Sequence, residues 1–484
     1  MTFTTLTFIL FLVCVFALYW AVRHRAIQNT LLIFVSYCFY GWWDYRFCAL
    51  LAISSLCDFC IGLGMDRVRS RRFRGAMLVS SVLVNLSMLG FFKYFNFFVN
   101  NFVALSESLG WQVHPRTIQI VLPVGISFYT FQTLSYTIDV YKGKIKPTRR
   151  FIDYCAFVCF FPQLVAGPIE RAKNLLPQFI NPRRFNYEKA VDGSRQILWG
   201  FAKKMILADN LGIVVDQIYR TSDVASGPEL ALATICFAFQ IYCDFSAYSD
   251  IAIGTARLFG FSLMRNFAYP YFSQSVGEFW RRWHISLSTW FRDYVYIPLG
   301  GNQVGNCRRA WNLLTTFVIS GLWHGPSWNF VMWGGLNGAA MMPGVAGQTR
   351  ARIGASDVPA GSGRFPSVPV LLRMIRTFFL ICVFWVFFRT DSLHEAMVIL
   401  KKFVIDSANP AAYRALISQV IAEKSLFAML SLFVVVEWLQ RGHAHALVLN
   451  GVRRSLRWFA YTFLLWYALY RNPPEESPFI YFQF

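Results

Sequence analysis

The sequence predicts an all-α, polytopic membrane protein, with roughly ten to twelve transmembrane helices plus re-entrant and interfacial helices around a central cavity. Three observations predict it. Of 484 residues, 56% are hydrophobic and only 15% charged, where a soluble domain carries about a quarter charged. The mean hydropathy is +0.42. Apolar runs recur along the whole length, at residues 6–22, 27–40, 77–92, 378–388 and 427–436. None shows the short apolar–polar alternation of a membrane barrel, so helices, which satisfy their own backbone hydrogen bonds, are the expected spans. Several runs fall short of the roughly 20 residues that cross a hydrocarbon core, hence the re-entrant and buried helices.

Taken in order, the run 6–22 is a first span. It lacks the basic start and small-residue cleavage site of a removed leader. Arg23, His24 and Arg25 follow it and mark a cytoplasmic connector, which puts the N-terminus outside. Two runs later the basic cluster 67–74 returns to the inside. Residues 77–98 then go out, and 117–141 come back to the basic stretch 142–150. The segment 151–169 holds Pro162 and Gly167-Pro168 and has basic residues at both ends, so it reads as re-entrant or interfacial. Residues 343–369, rich in Gly, Ser, Ala and Pro, read as an extramembrane loop. Basic residues at 441 and 453–457 precede the run 458–470, and the tail 471–484 is expected outside, so both termini are expected to be periplasmic. No internal repeat divides the chain, and 1–484 reads as a single membrane domain.

The net charge of +21 sits in short connectors between apolar runs, the pattern of membrane orientation rather than of a nucleic-acid surface. The eleven cysteines lie mostly inside apolar runs and behave there as small hydrophobes. Cys57 and Cys60 are spaced for a metal, but no second pair follows, so no metal site is expected.

Two of the seven histidines are placed for chemistry. His324 lies in an apolar stretch beside Gly321, Gly325 and Pro326. An ionisable group at membrane depth is costly, and the adjacent helix breakers free backbone groups that must line a cavity. The eleven apolar residues 313–323 span about 16 Å as helix, roughly half of a bilayer core. His324 is therefore expected at the tip of a broken hairpin, with Arg308, Arg309, Arg350 and Arg352 flanking its two ends. His284 lies in the stretch 277–298, where Trp280, Trp283, Leu287 and Phe291 follow helical spacing and Arg281, Arg282 and Arg292 fall elsewhere. That pattern describes an aromatic, basic amphipathic helix at the membrane surface, anchored by Trp280 and Trp283. Asp244 to Asp250, following Gln240, bring polar groups into apolar surroundings, for a cavity or for helix-to-helix hydrogen bonds. No nucleophile elbow, phosphate loop or His-Glu-x-x-His occurs. On these residues alone a transporter or channel without covalent chemistry remains the alternative.

Six segments carry a resemblance: 123–132 (Pro-Val-Gly-Ile-Ser-Phe-Tyr-Thr-Phe-Gln), 160–169 (Phe-Phe-Pro-Gln-Leu-Val-Ala-Gly-Pro-Ile), 243–250 (Cys-Asp-Phe-Ser-Ala-Tyr-Ser-Asp), 278–301, 320–325, and the terminal Phe-Ile-Tyr-Phe-Gln-Phe of 479–484. In this order the chain resembles the membrane-bound O-acyltransferase family, in the branch that O-acetylates bacterial polysaccharides such as alginate. Relatives that acetylate other exported glycans, cellulose among them, or D-alanylate teichoic acid form the alternative branches. The resemblance implies His324 as the catalytic histidine and His284 as the second motif histidine. It also implies acetyl-CoA as the cytoplasmic donor, no bound cofactor, an inner-membrane location and a periplasmic O-acetyltransferase as partner. Arg281 and Arg282 are candidates to attract the donor's phosphates. The tail looks like the acyl-carrying motif of a small partner in teichoic-acid D-alanylation. This makes Tyr481 a candidate acyl relay, its phenol being more acidic than an alcohol; the bland alternative is an aromatic anchor.

Overall fold

A few helices begin where the sequence offers an oxygen to the first free amides. Ser275 accepts from the Glu278 amide, Ser327 from Asn329 and Ser392 from Glu395, each satisfying a donor that the first helical turn cannot. The computed structural model describes residues 1–111, 113, 120–346, 358–361, 363–449, 451–471 and 479–480. Every regular element among the described residues is a helix, as the composition predicts. Arg46–Arg67, Arg71–Ser108, Gly227–Leu258 and Val368–Arg389 are long and apolar enough to cross a membrane. Pro410–Ala422 and Lys424–Gln440, bent by 80°, add a fifth if they act together. Other helices, such as Leu6–Ala21, are apolar but shorter. Full-length crossings among the described residues are thus fewer than the apolar runs suggest, because helices that carry those runs, such as Leu6–Ala21 with 16 residues and Arg25–Gly41 with 17, fall short of a full span.

The chain forms two compact units, Met1–Gly193 with Ala252–Met264, and Ser194–Ile251 with Arg265–Phe484. In the first, the apolar face of Arg71–Ser108 is turned outward, with Phe73 and Phe98 exposed, while Ser81 and Asn85 are buried. There they serve Asp58, which accepts from Ser81 Oγ at 2.5 Å and Asn85 Nδ2 at 2.8 Å. Such internal bonds tie helices together where lipid offers no partner. The segment after Phe151 is two helices, Phe151–Cys159 and Phe161–Leu164, and it is buried continuously from Asp153 to Ala172. Its helix breakers therefore lie inside protein, where irregular backbone at such depth is tolerated. Gly125 opens the helix Ile126–Tyr141 with φ of +78°. A Cβ there would stand 2.7 Å from the Leu164 carbonyl oxygen, so only glycine fits.

The second unit carries every histidine singled out above. Its part of the irregular loop, residues 358–361 and 363–367, is held by Arg441, which donates to the carbonyls of Pro359, Gly361 and Gly363. Residues 347–357, Arg350 and Arg352 among them, lie outside the described residues. The stretch 277–298 departs from expectation. It is not one surface helix but two short ones, Val276–Arg282 and Ile285–Phe291, followed by a π turn. Trp280 and Trp283 are core residues rather than interfacial anchors. Trp280 donates to Asn337 Oδ1 at 3.1 Å, and Trp283 packs 5.2 Å from Trp385. A helical stripe of aromatics faces a protein core as readily as a membrane surface, so the spacing could not tell the two apart.

Candidate active site

The helix Asn306–His324 ends on His324, and after Gly325, Pro326 and Ser327 the chain returns as Trp328–Met341. Glycines close this hairpin. A Cβ on Gly334 would collide with the Phe317 carbonyl and lie 3.2 Å from Val318 Cα, and one on Gly338 would lie 3.2 Å from Leu314 Cα. Backbones approach this closely only where side chains are missing. His324 is therefore at the hairpin tip, as the residue pattern indicates, and it is 5% exposed. Its ring stands edge-on to Trp323 at 4.9 Å, Trp333 at 5.0 Å and Phe388 at 5.3 Å.

His284 occupies the break between the two short helices, with φ of +43°. Non-glycine residues in this left-handed region cost about 1–3 kcal/mol and gather at functional sites. Asn266 holds the break. Its carbonyl accepts from the Ile285 amide at 2.9 Å, and its Oδ1 accepts from Ser286 Oγ at 2.9 Å. The same Oδ1 lies 3.2 Å from His284 Nδ1. Since that oxygen can only accept, Nδ1 carries the proton, and Nε2 is the ring's acceptor nitrogen. His284 packs 4.6 Å from Phe245 and 6.1 Å from Trp323, so the two imidazoles share one indole as neighbour.

A cavity of about 400 Å³ adjoins the hairpin tip. Pro326 and Ser327, two and three residues after His324, line it with Phe330 and Phe388, and neither imidazole does. Phe388, which touches His324, is thus part of the wall between the ring and this space. The polar lining comes from Lys204, Asp209, Asp216, Gln240, Asp244, Arg389 and Asp391. Lys204 Nζ bridges Asp209 at 2.7 Å and Asp244 at 2.8 Å, and Arg389 pairs with Asp216 at 2.7 Å. Four carboxylates face two cations, so the space is acidic.

The C-terminal segment reaches the same place. Ile480 lines the cavity and donates its amide to Asp244 Oδ2 at 2.7 Å. Phe479 packs tilted against Tyr248 at 5.0 Å and Phe245 at 5.8 Å. An unbroken series of ring contacts therefore runs from Phe479 through Phe245, His284 and Trp323 to His324. Tyr481 itself lies outside the described residues.

Arg281 is exposed. Arg282 is 1% exposed and is bound to Glu278 at 2.9 Å and to the Ala268 carbonyl. Sequence reasoning missed Lys203 and Lys204. The signal was present: two lysines inside the apolar stretch 197–208 are as anomalous as a buried histidine. Both are buried or nearly so. Lys203 Nζ bonds Ser246 and Asp250, each at 2.6 Å. No cluster of metal-ligating side chains occurs among the described residues.

Comparison with known proteins adds the following. Residues 148–348 match the membrane-bound O-acyltransferase family. A protein of Azotobacter vinelandii named a probable alginate O-acetylase is 42% identical over 76% of this chain and 71% of its own length. One of the same name from Pseudomonas putida is 41% identical over 82% and 79%. A peptidoglycan O-acetyltransferase of Helicobacter pylori is 34% identical over 77% and 73%.

Proposed function

The chain belongs to the membrane-bound O-acyltransferase family, and from that premise we propose that it moves acetyl groups from cytoplasmic acetyl-CoA across the inner membrane for O-acetylation of an exported polysaccharide such as alginate. It is an O-acyltransferase and a membrane protein; the donor, the direction and the acceptor are the proposal. The observation that carries it is His324, a titratable ring sealed among aromatics at the tip of a glycine-packed hairpin.

In the proposed reaction a hydroxyl attacks the acetyl thioester carbonyl while His324 takes the hydroxyl proton. The tetrahedral intermediate expels the CoA thiolate, and the imidazolium returns the proton to it as the free thiol. General base catalysis of this kind contributes about 10²–10⁴-fold. His284, with Nε2 as acceptor, is the second catalytic group. The acidic cavity disfavours both polyanions of the reaction, the phosphates of CoA and a uronate polymer, by like-charge repulsion. It is accordingly assigned to the acceptor side, from which the uncharged motif 479–484 approaches, its Tyr481 hydroxyl reaching His324 only when the Phe388 ring turns aside. Acetyl-Tyr481 then gives its acyl group to a periplasmic O-acetyltransferase, and the phenol is restored. Both termini are periplasmic in this scheme. Arg281 attracts the donor phosphates on the cytoplasmic face, and Arg282, gripped by Glu278, positions that turn.

The test is the O-acetyl content of the exported polysaccharide in a deletion strain restored with wild type or with His324→Ala. Wild type should restore the esters and the variant should not. Esters that persist in the deletion strain would refute the reading. The Helicobacter relative makes peptidoglycan the second acceptor to assay in the same strains.

A further inference from the structure

We propose that Asp244, braced by Lys204 and Asp209, is the positioning residue that catches the chain's own C-terminal segment at Ile480 and seats it against Phe245, the ring that packs on His284. The catch reads backbone, because Asp244 Oδ2 takes the Ile480 amide at 2.7 Å. Its other oxygen faces Lys204 at 2.8 Å, and Lys204 is held in turn by Asp209 at 2.7 Å. All three side chains are 12% exposed or less. An amide bonded to a carboxylate in such surroundings makes one of the stronger hydrogen bonds available. Lys204 fixes the direction of the carboxylate, so the acceptor is aimed before the tail arrives.

Beside the catch, Phe479 is 6% exposed and Ile480 3%. Phe479 rests on Phe245 and Tyr248, one and four residues along from Asp244 on the helix that carries it. Backbone capture and ring packing thus come from one helix face, and Phe245 passes the seat directly to His284. The arrangement rests on the reading of residues 479–484 as an acyl relay, and it supplies what a relay on a chain terminus needs. That is a tether at a fixed residue, Ile480, which precedes the tyrosine in sequence.

The test uses full-length protein in lipid nanodiscs. Hydrogen–deuterium exchange of the C-terminal peptide reads the Ile480 amide, and acetyl transfer is measured in parallel. In wild type that amide is protected. Asp244→Ala should raise its exchange about tenfold or more, the worth of a hydrogen bond to a charged group. Asp244→Asn, which keeps an acceptor oxygen, should recover much of the protection. Unchanged exchange in Asp244→Ala would overturn the catch. If that variant fails to fold, Lys204→Met, which removes the brace that aims the carboxylate, serves in its place with the same readout, and unchanged exchange there also overturns it. Tyr481→Phe should keep the amide protected while transfer falls. Faster exchange in Asp244→Ala with transfer intact would leave the catch standing and remove the relay.

Discussion

Gly334 and Gly335 are neighbours on one helix, and alanine at each should act oppositely. At Gly335 a Cβ meets nothing within 4 Å, so the substitution brings only the helix preference of alanine over glycine, about 1 kcal/mol. At Gly334 the same methyl would run into the Phe317 carbonyl, with its carbon at 3.0 Å and Val318 Cα at 3.2 Å. Carbon atoms sit comfortably at about 3.5–4.0 Å, so the hairpin must open by about 1 Å. Overpacking of this kind costs about 1–3 kcal/mol, more than the propensity gain. The opening also moves the arm that ends on His324. A displacement of about 1 Å at a reacting group can cost about 10²-fold in rate. Melting temperature in detergent and acetyl transfer in membrane vesicles should therefore fall together in Gly334→Ala, while Gly335→Ala matches or exceeds wild type. If Gly334→Ala transfers acetyl at the wild-type rate, the hairpin does not position the histidine and the reasoning fails.

Other expectations follow from single contacts. His324→Ala should lower transfer about 10²–10⁴-fold with the protein still monodisperse; wild-type transfer would exclude it as the base. His284→Gly should lower transfer while holding or raising thermal stability, because glycine relieves the left-handed backbone at φ +43°; a large loss of stability would mean that the ring is chiefly structural. Asn85→Ala removes a donor to Asp58 at 2.8 Å and should cost about 1–3 kcal/mol in unfolding experiments, with little change in acetyl transfer per folded molecule.

How much of this was legible beforehand depends on what each residue must satisfy. His324 stood out because a polar ring beside Gly and Pro in an apolar run admits few harmless explanations, and the hairpin follows from the same breakers. The break at His284 could not be read. Residues 277–298 keep a helical stripe straight through it, and the left-handed turn is imposed by Asn266, eighteen residues away. For the same reason Trp280 and Trp283 looked like surface anchors, although their partners Asn337 and Trp385 are distant in sequence. Asp244 and Asp250 were visible as polar intruders, but their lysines were not connected to them, since ion pairs across helices leave no mark in local spacing.

Lys203 and Lys204 are consecutive residues of a π turn, yet they grip Asp250 and Asp244 of a single helix. Six residues separate the two carboxylates, about 9 Å along the axis. A rod fastened at two such points can neither slide nor rotate without releasing a fastener, and a shift of one turn, about 5.4 Å, releases both at once. The helix thus has one permitted registration and no gradual path away from it. Tyr248, which packs on the tail, and Phe245, which packs on both the tail and His284, lie between the fasteners, on the stretch where play in the rod is least.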